Sequence, residues 1–588
     1  MTGVARLPRD GSVSSVAELD RLMDAAACHG GPFSPSYSAR LDRTEEFPAE
    51  AVRVLDEFGV HRYFVPARFG GRQAELPEVV DLLRAVARRD LTVAIAYGKT
   101  FLGVTPVWAG GTSEQSAWLA RQVLENAMVT WALTERGHGA DLMSGEVGAT
   151  RTADGWQLDG AKWLINNATR APLVLLLART DAGGGPRGFS LFLVDKRSLE
   201  PGSYTCLPKE PLHGIRGADI SGIDFHEAKL PADAVVNAAG TGFEIVLKSL
   251  QVTRTVCTAL SLGAADHALR LAADFTQGRM VYGRRLSELP GVRWVLGEAI
   301  AGALLAEVVT VVATRSIHTL TGEMSVISAI VKALVPELVE DLITAVGELL
   351  GARGQLIDEY ADGLFQKLDR DHRIVAIFDG STTVNRNALI NQFPVLDRRY
   401  RKGGYDEPGL NRAADLTGSL PELDTSALTL LSKAGCSVVQ SVPKAVAEIR
   451  RLGAQEAAPD SVVRQAREFG EAVDGVLAEL AEHRPERHDV PAGAFALAQR
   501  YEACFAGAAC LRLWLHNVGV ATDRATLWRD ATWLSGCLAR VLALLGAGQE
   551  ADAARAYESL AEVLLATEGG AVPSILTDVP TAEPRVRA

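Results

Sequence analysis

The hydrophobic pattern of this chain changes twice along its length, and this limits the folds it can adopt. From Phe47 to about residue 125, apolar residues such as Val79 and Leu83 recur at helical spacing. Between Met128 and about residue 236, short apolar runs such as PLVLLLA and FSLFLV are separated by glycine-rich turns, as in β-strands. Helical spacing returns from Phe243 to about residue 392. The sequence therefore predicts a β domain between two helical domains.

A further helical region follows the one that ends near residue 392. It begins after the polar segment RKGGYDEPGLNR and contains an amphipathic stripe with spacings of three and four, formed by Val462, Ala466, Phe469, Val473, Val476 and Leu480. The predicted class is α+β, mainly α. Its parts are a flexible lead (1–40), an N-terminal helical domain (41–127), a middle β-barrel-like domain (128–238), a helical bundle (239–400), a linker (401–423), a C-terminal helical extension (424–570) and a disordered tail (571–588).

Composition excludes several classes of protein. The chain has 588 residues, with 60 basic and 72 acidic side chains and a net charge of −12, which argues against a nucleic-acid partner. Its seven scattered cysteines form no CxxC pair, so neither a metal site nor a disulfide framework is expected. The first residues lack the apolar core of a signal peptide, and the longest apolar run is too short to span a bilayer. We therefore expect a cytoplasmic protein.

The stretch WALTERGHGAD, from Trp131 to Asp141, carries the strongest sign of a ligand site. An apolar strand leads into a Thr-Glu pair and then into a turn of small residues, among them Gly139 and Ala140. Such a turn lets the backbone pass close to a flat ligand and offers it N–H groups. No GxGxxG sequence follows a strand, so a Rossmann NAD site is not expected.

Further motifs follow in a fixed order: AKWLINNA from Ala161, GIRGADI from Gly214, FHEAKLPADAV from Phe225, GRMVYGRRL from Gly278 and FDGSTTVNR from Phe378. In this order they resemble the acyl-CoA dehydrogenase family of flavoenzymes over residues 40 to 400. The resemblance implies FAD as cofactor and an acyl thioester as substrate. A carboxylate would remove the α-proton while flavin accepts the β-hydride.

In many relatives the base is a glutamate before a glycine, and here Asp379 holds that place. It is one methylene shorter, which changes its reach by about 1.5 Å. An alternative role for Asp379 is to cap the helix that begins near Ser381. The place of the base in isovaleryl-CoA dehydrogenases is taken by Thr253, which cannot serve, while the next residue, Arg254, matches a family position near the active site.

The resemblance also assigns residues to the cofactor. Leu133 and Thr134 with Gly139 and Ala140 would meet the flavin from one side. Leu164 and Asn166 stand where relatives carry a flavin-packing Trp-Ile-Thr run, while Arg279 would reach the FAD pyrophosphate of a neighbouring subunit. The remaining expected FAD contacts are Gly351, Gly354, Ser381 and Thr383.

The C-terminal extension looks like that of very-long-chain acyl-CoA dehydrogenases, where it covers the surface used for tetramers. The resemblance therefore implies a homodimer. As an alternative, the extension docks a membrane or a partner protein.

The leading hypothesis is an FAD-dependent dehydrogenase acting on a thioester of coenzyme A or of an acyl-carrier protein, with electron-transfer flavoprotein as acceptor. The second hypothesis is a flavin-dependent oxidase or monooxygenase that uses O2 on a specialised, secondary-metabolite substrate. Nitroalkane oxidase, a distant relative, also has an aspartate at the place of Asp379. The third hypothesis is a non-catalytic assembly protein.

Overall fold

The computed structural model describes residues 14–484, 489–520, 527–567 and 571–577. The N-terminal domain is helical. Its helices are α1 Ser15–Ala27, α2 Pro35–Thr44, α3 Ala49–Phe58, α4 Leu76–Ala87, α5 Leu91–Gly110 and α6 Ser113–Leu124. Helix α5 begins after Asp90, whose carboxylate accepts hydrogen bonds from the N–H groups of Thr92 and Val93. This N-cap sets the start of the helix that later contributes Lys99 to the site.

The middle domain is a seven-stranded sheet in the order β1-β4-β2-β3-β7-β6, with β5 paired to β4. Its strands are β1 Val129–Ala132, β2 Gly148–Arg151, β3 Gly155–Asn166, β4 Leu173–Arg179, β5 Phe189–Asp195, β6 Tyr204–Leu207 and β7 Ile220–Pro231.

Strand β4 is apolar on both faces because it separates two cores. Leu173, Leu175 and Leu177 belong to the main core shared with the helices. The alternate residues, Val174 and Leu176 among them, belong to a separate core inside the β domain. Since successive side chains of a strand point to opposite faces, a continuous apolar run is what this position requires.

The helical bundle follows the sheet and includes a small hairpin. Its elements are α7 Gly242–Val256, α8 Thr258–Gly278, β8 Met280–Val281, β9 Arg284–Arg285, α9 Pro290–Thr319, α10 Met324–Leu350, α11 Leu364–His372, α12 Thr382–Ile390 and α13 Phe393–Lys402. Helix α9 is long and apolar enough to cross a membrane, with a mean hydropathy of 2.0, but 83% of that window is buried inside the protein. It is the central helix of the core.

The extension packs directly on this bundle. Its helices are α14 Glu407–Ala414, α15 Ser437–Gln440, α16 Val442–Ala454, α17 Asp460–Glu482, α18 Ala492–Asn517, α19 Thr532–Leu544 and α20 Glu550–Ala566. Helices α9 and α20 approach so closely that a Cβ at Gly297 would lie 2.0 Å from the carbonyl oxygen of Tyr557. A buried ion pair also joins the two regions, since Arg386 of α12 donates to the fully buried Glu502 of α18 at 2.9 Å.

The α+β, mainly helical class and its order of parts are confirmed, but three segments are more ordered than expected. Within the predicted flexible lead, α1 buries Leu19 and Met23. The predicted linker contains α14, whose Leu410 is fully buried. In the predicted disordered tail, Ile575 is buried and its N–H donates to Glu307 at 2.8 Å. Residues 1–13 and 578–588 lie outside the described part of the chain.

Candidate active site

Asp379 lies on a tight turn just before α12, with a positive φ of 56°. The N-cap of α12 is Ser381, whose side chain accepts from the N–H of Val384 at 3.3 Å. The capping role considered for Asp379 is therefore wrong. Its Oδ2 atom is buried and has no hydrogen-bond partner in the described part of the protein. An unpaired buried carboxylate oxygen is costly to fold and is typical of a group that awaits a ligand.

Arg254 of α7 holds this turn through the backbone. Its Nε donates to the carbonyl oxygen of Asp379 at 2.7 Å, which leaves the carboxylate itself free. The next residue, Gly380, has a φ of 98°, and a Cβ there would lie 2.6 Å from the Arg254 guanidinium. Only glycine therefore permits both this turn and this contact. Burial lowers the pKa of Arg254, although the charge of Asp379 opposes that shift.

Two lysines that the sequence analysis missed also face Asp379. Lys332 of α10 is 1% exposed, and its Nζ donates to the carbonyl of Val375 at 2.6 Å. Burial lowers the pKa of Lys332 to about 8, against the attraction of Cys257 and Asp379. Lys99 of α5 is half-buried, and burial lowers its pKa against the attraction of Asp379 and Cys257. The site therefore contains more positive than negative charge.

A sign of both lysines was present in the sequence. Each is a single cation inside an apolar helical run, LTVAIAYGKTFLG for Lys99 and VISAIVKALVPELV for Lys332. Lysine is rarely buried unless its charge has a partner, so such a position indicates either a buried ion pair or a ligand site.

The segment after β1 is tied to the sheet by the residues of its Thr-Glu pair. The Thr134 hydroxyl donates to the carbonyl of Trp163 at 2.7 Å. Glu135 forms a buried ion pair with Lys162 at 2.7 Å, and Lys162 also donates to the carbonyl of Leu133 at 2.9 Å. The following turn is open, since a Cβ at Gly139 would meet no atom within 4 Å. Ala140 is exposed beside it.

The bulge in β3 presents apolar surface next to this turn. Leu164 has a φ of 57° and is 43% exposed. The Trp163 ring lies under the Arg136 guanidinium, 4.4 Å from its centroid, and its Nε1 donates to Glu210 at 2.6 Å. Asn166, by contrast, is turned inward, and its side-chain amide donates to the carbonyl of Ile95 at 3.1 Å. That contact uses one of the two amide N–H groups and holds the side chain in a buried position.

The other expected cofactor residues lie in two places. Ser381 and Thr383 follow Asp379 at the start of α12, where the Ser381 hydroxyl is engaged as the cap and Thr383 is exposed. Arg279 begins the β8–β9 hairpin with an exposed side chain that forms no ion pair among the described residues. Thr383 and Arg279 are therefore exposed polar side chains, whereas the Ser381 hydroxyl is engaged within the protein.

The two glycines after α10 differ. Gly351 has a φ of 57° and open space around it, as a backbone that receives a ligand would have. A Cβ at Gly354 would lie 3.3 Å from the side chains of Leu350 and Phe365. Gly354 is therefore buried, and its lack of a side chain lets Leu350 and Phe365 pack against it.

Comparison with known proteins identifies the family. Three family models match consecutive parts of the chain: the N-terminal domain of acyl-CoA dehydrogenase at residues 34–125, its middle domain at 130–228 and its C-terminal domain at 240–393. The chain belongs to the acyl-CoA dehydrogenase family. A probable acyl-CoA dehydrogenase of Mycobacterium tuberculosis is 28% identical over 355 residues, which are 60% of this chain and 88% of that protein.

Solved structures extend the similarity. An acyl-CoA dehydrogenase of Bacillus anthracis, complexed with FAD, is 16% identical with a TM-score of 0.64, covering 94% of this chain and 87% of that one. The prolyl acyl carrier protein oxidase AnaB is 19% identical with a TM-score of 0.58, covering 64% of this chain and 98% of that one. The first match includes the extension, so this part of the fold also has a solved counterpart.

Proposed function

We propose that the protein is an FAD-dependent dehydrogenase of acyl thioesters and that Asp379 removes the α-proton. The buried, unpaired Oδ2 atom of Asp379 is the observation that carries this proposal. An α-C–H beside a thioester is a weak acid, so its base must be free of competing hydrogen bonds and shielded from water. Arg254 leaves the Asp379 carboxylate free of competing hydrogen bonds, because it orients the turn through the Asp379 carbonyl.

FAD supplies the hydride acceptor when bound. We assign its contacts to the open turn at Gly139 and Ala140, the backbone at Leu133 and Thr134, and the exposed Leu164. The outward guanidinium of Arg279, the open backbone at Gly351, and Ser381 with Thr383 complete the set. These groups fit a large anionic cofactor with a flat ring, because they combine unfilled space, apolar surface and a free cation.

Asn166 and Gly354 are engaged by other parts of the protein. The amide of Asn166 donates to Ile95, and Gly354 packs against Leu350 and Phe365. We retain both as residues that shape the neighbouring backbone.

The carrier of the acyl group is coenzyme A or the phosphopantetheine arm of an acyl-carrier protein, since both present the same thioester. Family membership supports the first, and the similarity to a prolyl acyl carrier protein oxidase supports the second. We further propose a cytoplasmic homodimer in which Arg279 completes the partner's FAD site, with electron-transfer flavoprotein as acceptor.

A second candidate is an oxidase or monooxygenase that lets the reduced cofactor react with O2 on a specialised substrate. The inward-turned Asn166 favours it, because the polar group that relatives direct to the flavin is absent from that face. Oxygen consumption equal to substrate turnover would select this candidate over the dehydrogenase. Family membership supports either enzyme over a non-catalytic assembly protein.

Mixing of the holoenzyme with acyl thioesters under anaerobic conditions tests the proposal. We expect one or more thioesters to bleach the flavin absorbance, and Asp379→Asn to slow this bleaching by about 10²- to 10⁴-fold, the usual contribution of a positioned base. Asp154→Asn, a change at an exposed turn, is the matched control and keeps the wild-type rate. Equal rates in Asp379→Asn and wild type would refute Asp379 as the base.

A further inference from the structure

The positive charge around Asp379 exceeds the negative charge. Lys99, Arg254 and Lys332 approach it from α5, α7 and α10, and the nearby Cys257 has its thiol pKa raised by burial and by Asp379, so it is neutral. None of the three cations forms an ion pair within 4.0 Å anywhere in the described chain. One carboxylate thus faces three cations.

Two other buried lysines in the same protein are paired with carboxylates, whereas the buried Lys196 donates to the carbonyl of Ala168 and forms no ion pair among the described residues. Lys162 contacts Glu135 at 2.7 Å, and Lys367 contacts Asp90 at 3.0 Å and Asp371 at 2.7 Å. Burying a charge without a partner is expensive, so folded chains either pair it or use it. The pocket at Asp379 differs from these sites because it gathers Lys99, Lys332 and Arg254 around a single carboxylate.

The two lysines have donors to spare. Lys332 uses one N–H on the carbonyl of Val375, and its ammonium lies 5.1 Å from the centroid of the Phe378 ring. Lys99 donates to no described atom within hydrogen-bond distance, and its side chain is half-buried. An ammonium carries three N–H donors and no acceptor, so what they can bind is an anion or a carbonyl oxygen.

We propose that the acyl group of the substrate carries a carboxylate of its own and that Lys99, assisted by Lys332, binds it. The inference rests on the proposed function, because that function places the acyl α-carbon beside Asp379. The group next to the α-carbon is the acyl chain, whereas the phosphates of coenzyme A lie at the far end of the pantetheine arm. With a plain alkyl chain, the single carboxylate of Asp379 would face both ammonium groups and Arg254 in a buried pocket.

Three pairs of thioesters with equal carbon number test the inference: succinyl with butyryl, glutaryl with valeryl, and adipyl with hexanoyl, each on coenzyme A and on pantetheine. Flavin reduction in wild-type holoenzyme is expected to favour the carboxylated member of at least one pair by about tenfold or more, since hydrogen bonds to a charged group are worth that much.

Lys99→Met is expected to lower that preference by about tenfold or more through the apparent affinity, and the ratio of the two members within the variant removes any general change in rate. Lys99→Arg retains the charge and is expected to restore part of the preference. Lys402→Met, at an exposed lysine of α13, is the matched control and leaves the preference unchanged.

Two results would overturn the inference. One is an alkyl preference in wild type that Lys99→Met does not alter. The other is loss of FAD from Lys99→Met with an unchanged ratio, which would make Lys99 a cofactor residue. If no thioester reduces the flavin, the proposed function fails. Calorimetric titration with the same pairs then tests the anion site at Lys99 separately. Tighter binding of the carboxylated member, lost in Lys99→Met, supports the anion site, and equal binding refutes it.

Discussion

Two groups of buried charged side chains in this protein differ in how completely their charges are neutralised. In the first, Lys367 donates to Asp90 and Asp371, and Thr92 donates to Asp371 at 2.9 Å. The backbone N–H of Ile215 also donates to Asp371. Burial opposes the charge on Lys367, but the attraction of Asp371 and Asp90 outweighs it and raises its pKa.

The second group surrounds Asp379. Here the partners of Lys332 among the described residues are a backbone carbonyl and an aromatic ring, and burial lowers its pKa to about 8. Lys99 has no described partner within hydrogen-bond distance. The first group is saturated and holds α5, α11 and the β domain together. In the second group, the hydrogen bonds of the ammonium and carboxylate side chains are incomplete. A ligand that binds there would complete them.

The largest expected difference comes from removing the cation of the saturated group. Lys367→Met leaves Asp90 and Asp371 buried without a counter-ion, and we expect the free energy of unfolding to fall by about 3–5 kcal/mol. Urea denaturation of the purified protein measures this, with Lys402→Met as the exposed control. A loss no larger than in the control would mean that the two groups are equivalent.

The pH dependence of stability should reveal the unsaturated group. The pKa of Lys332 is about 8 in the folded protein against 10.5 as its ordinary value. As the pH falls from 10.5 to 8, the unfolded chain binds the proton first, so the folded state loses up to about 3 kcal/mol. Below pH 8 the loss is constant. Denaturation of wild type and Lys332→Met from pH 7.5 to 10.5 should show a steeper rise of stability with pH in wild type, since the variant keeps the contributions of Lys99 and Lys162, whose pKa values burial also lowers. Parallel curves would contradict it.

The smallest expected effect is an increase in the free energy of unfolding, opposite in sign to the losses above. Lys99→Met removes a buried charge that has no described ion-pair partner, so we expect the free energy of unfolding to rise by about 1 kcal/mol, a common gain when an active-site group is replaced. Thermal unfolding of the FAD-loaded protein measures it. A decrease like that of Lys367→Met would show that Lys99 has a structural partner.

Much of the fold could be predicted because its determinants are local. The helical, β and helical periodicities follow from neighbouring residues, and the start of α12 near Ser381 was recognisable from its motif. The lead and the tail were misjudged because their order depends on distant partners. Leu19 of α1 is buried where that helix packs on α4, and Ile575 is held by Glu307. Composition alone cannot show such contacts.

The site was only partly predictable for the same reason. Lys99, Lys332 and Asp379 lie far apart in sequence and meet only when α5 and α10 pack around α7. Asn166 was expected to face the cofactor because of its position in a motif, but a bulge between Trp163 and Ile165 alters the strand there. A one-residue change in register reverses the face to which a side chain points.

The ion pair between Arg386 and Glu502 has a consequence for the history of the gene. Arg386 stands seven codons after Asp379, and it donates to Glu337 as well as to Glu502. A premature stop codon anywhere between the bundle and α18 would leave Arg386 with Glu337 as its one described acidic partner and uncover apolar surface on α9. Loss of the 3′ portion of the gene in one step would therefore remove one acidic partner of Arg386 and expose apolar surface of α9 to water. A polar surface on α9 and a new partner for Arg386 would offset both effects.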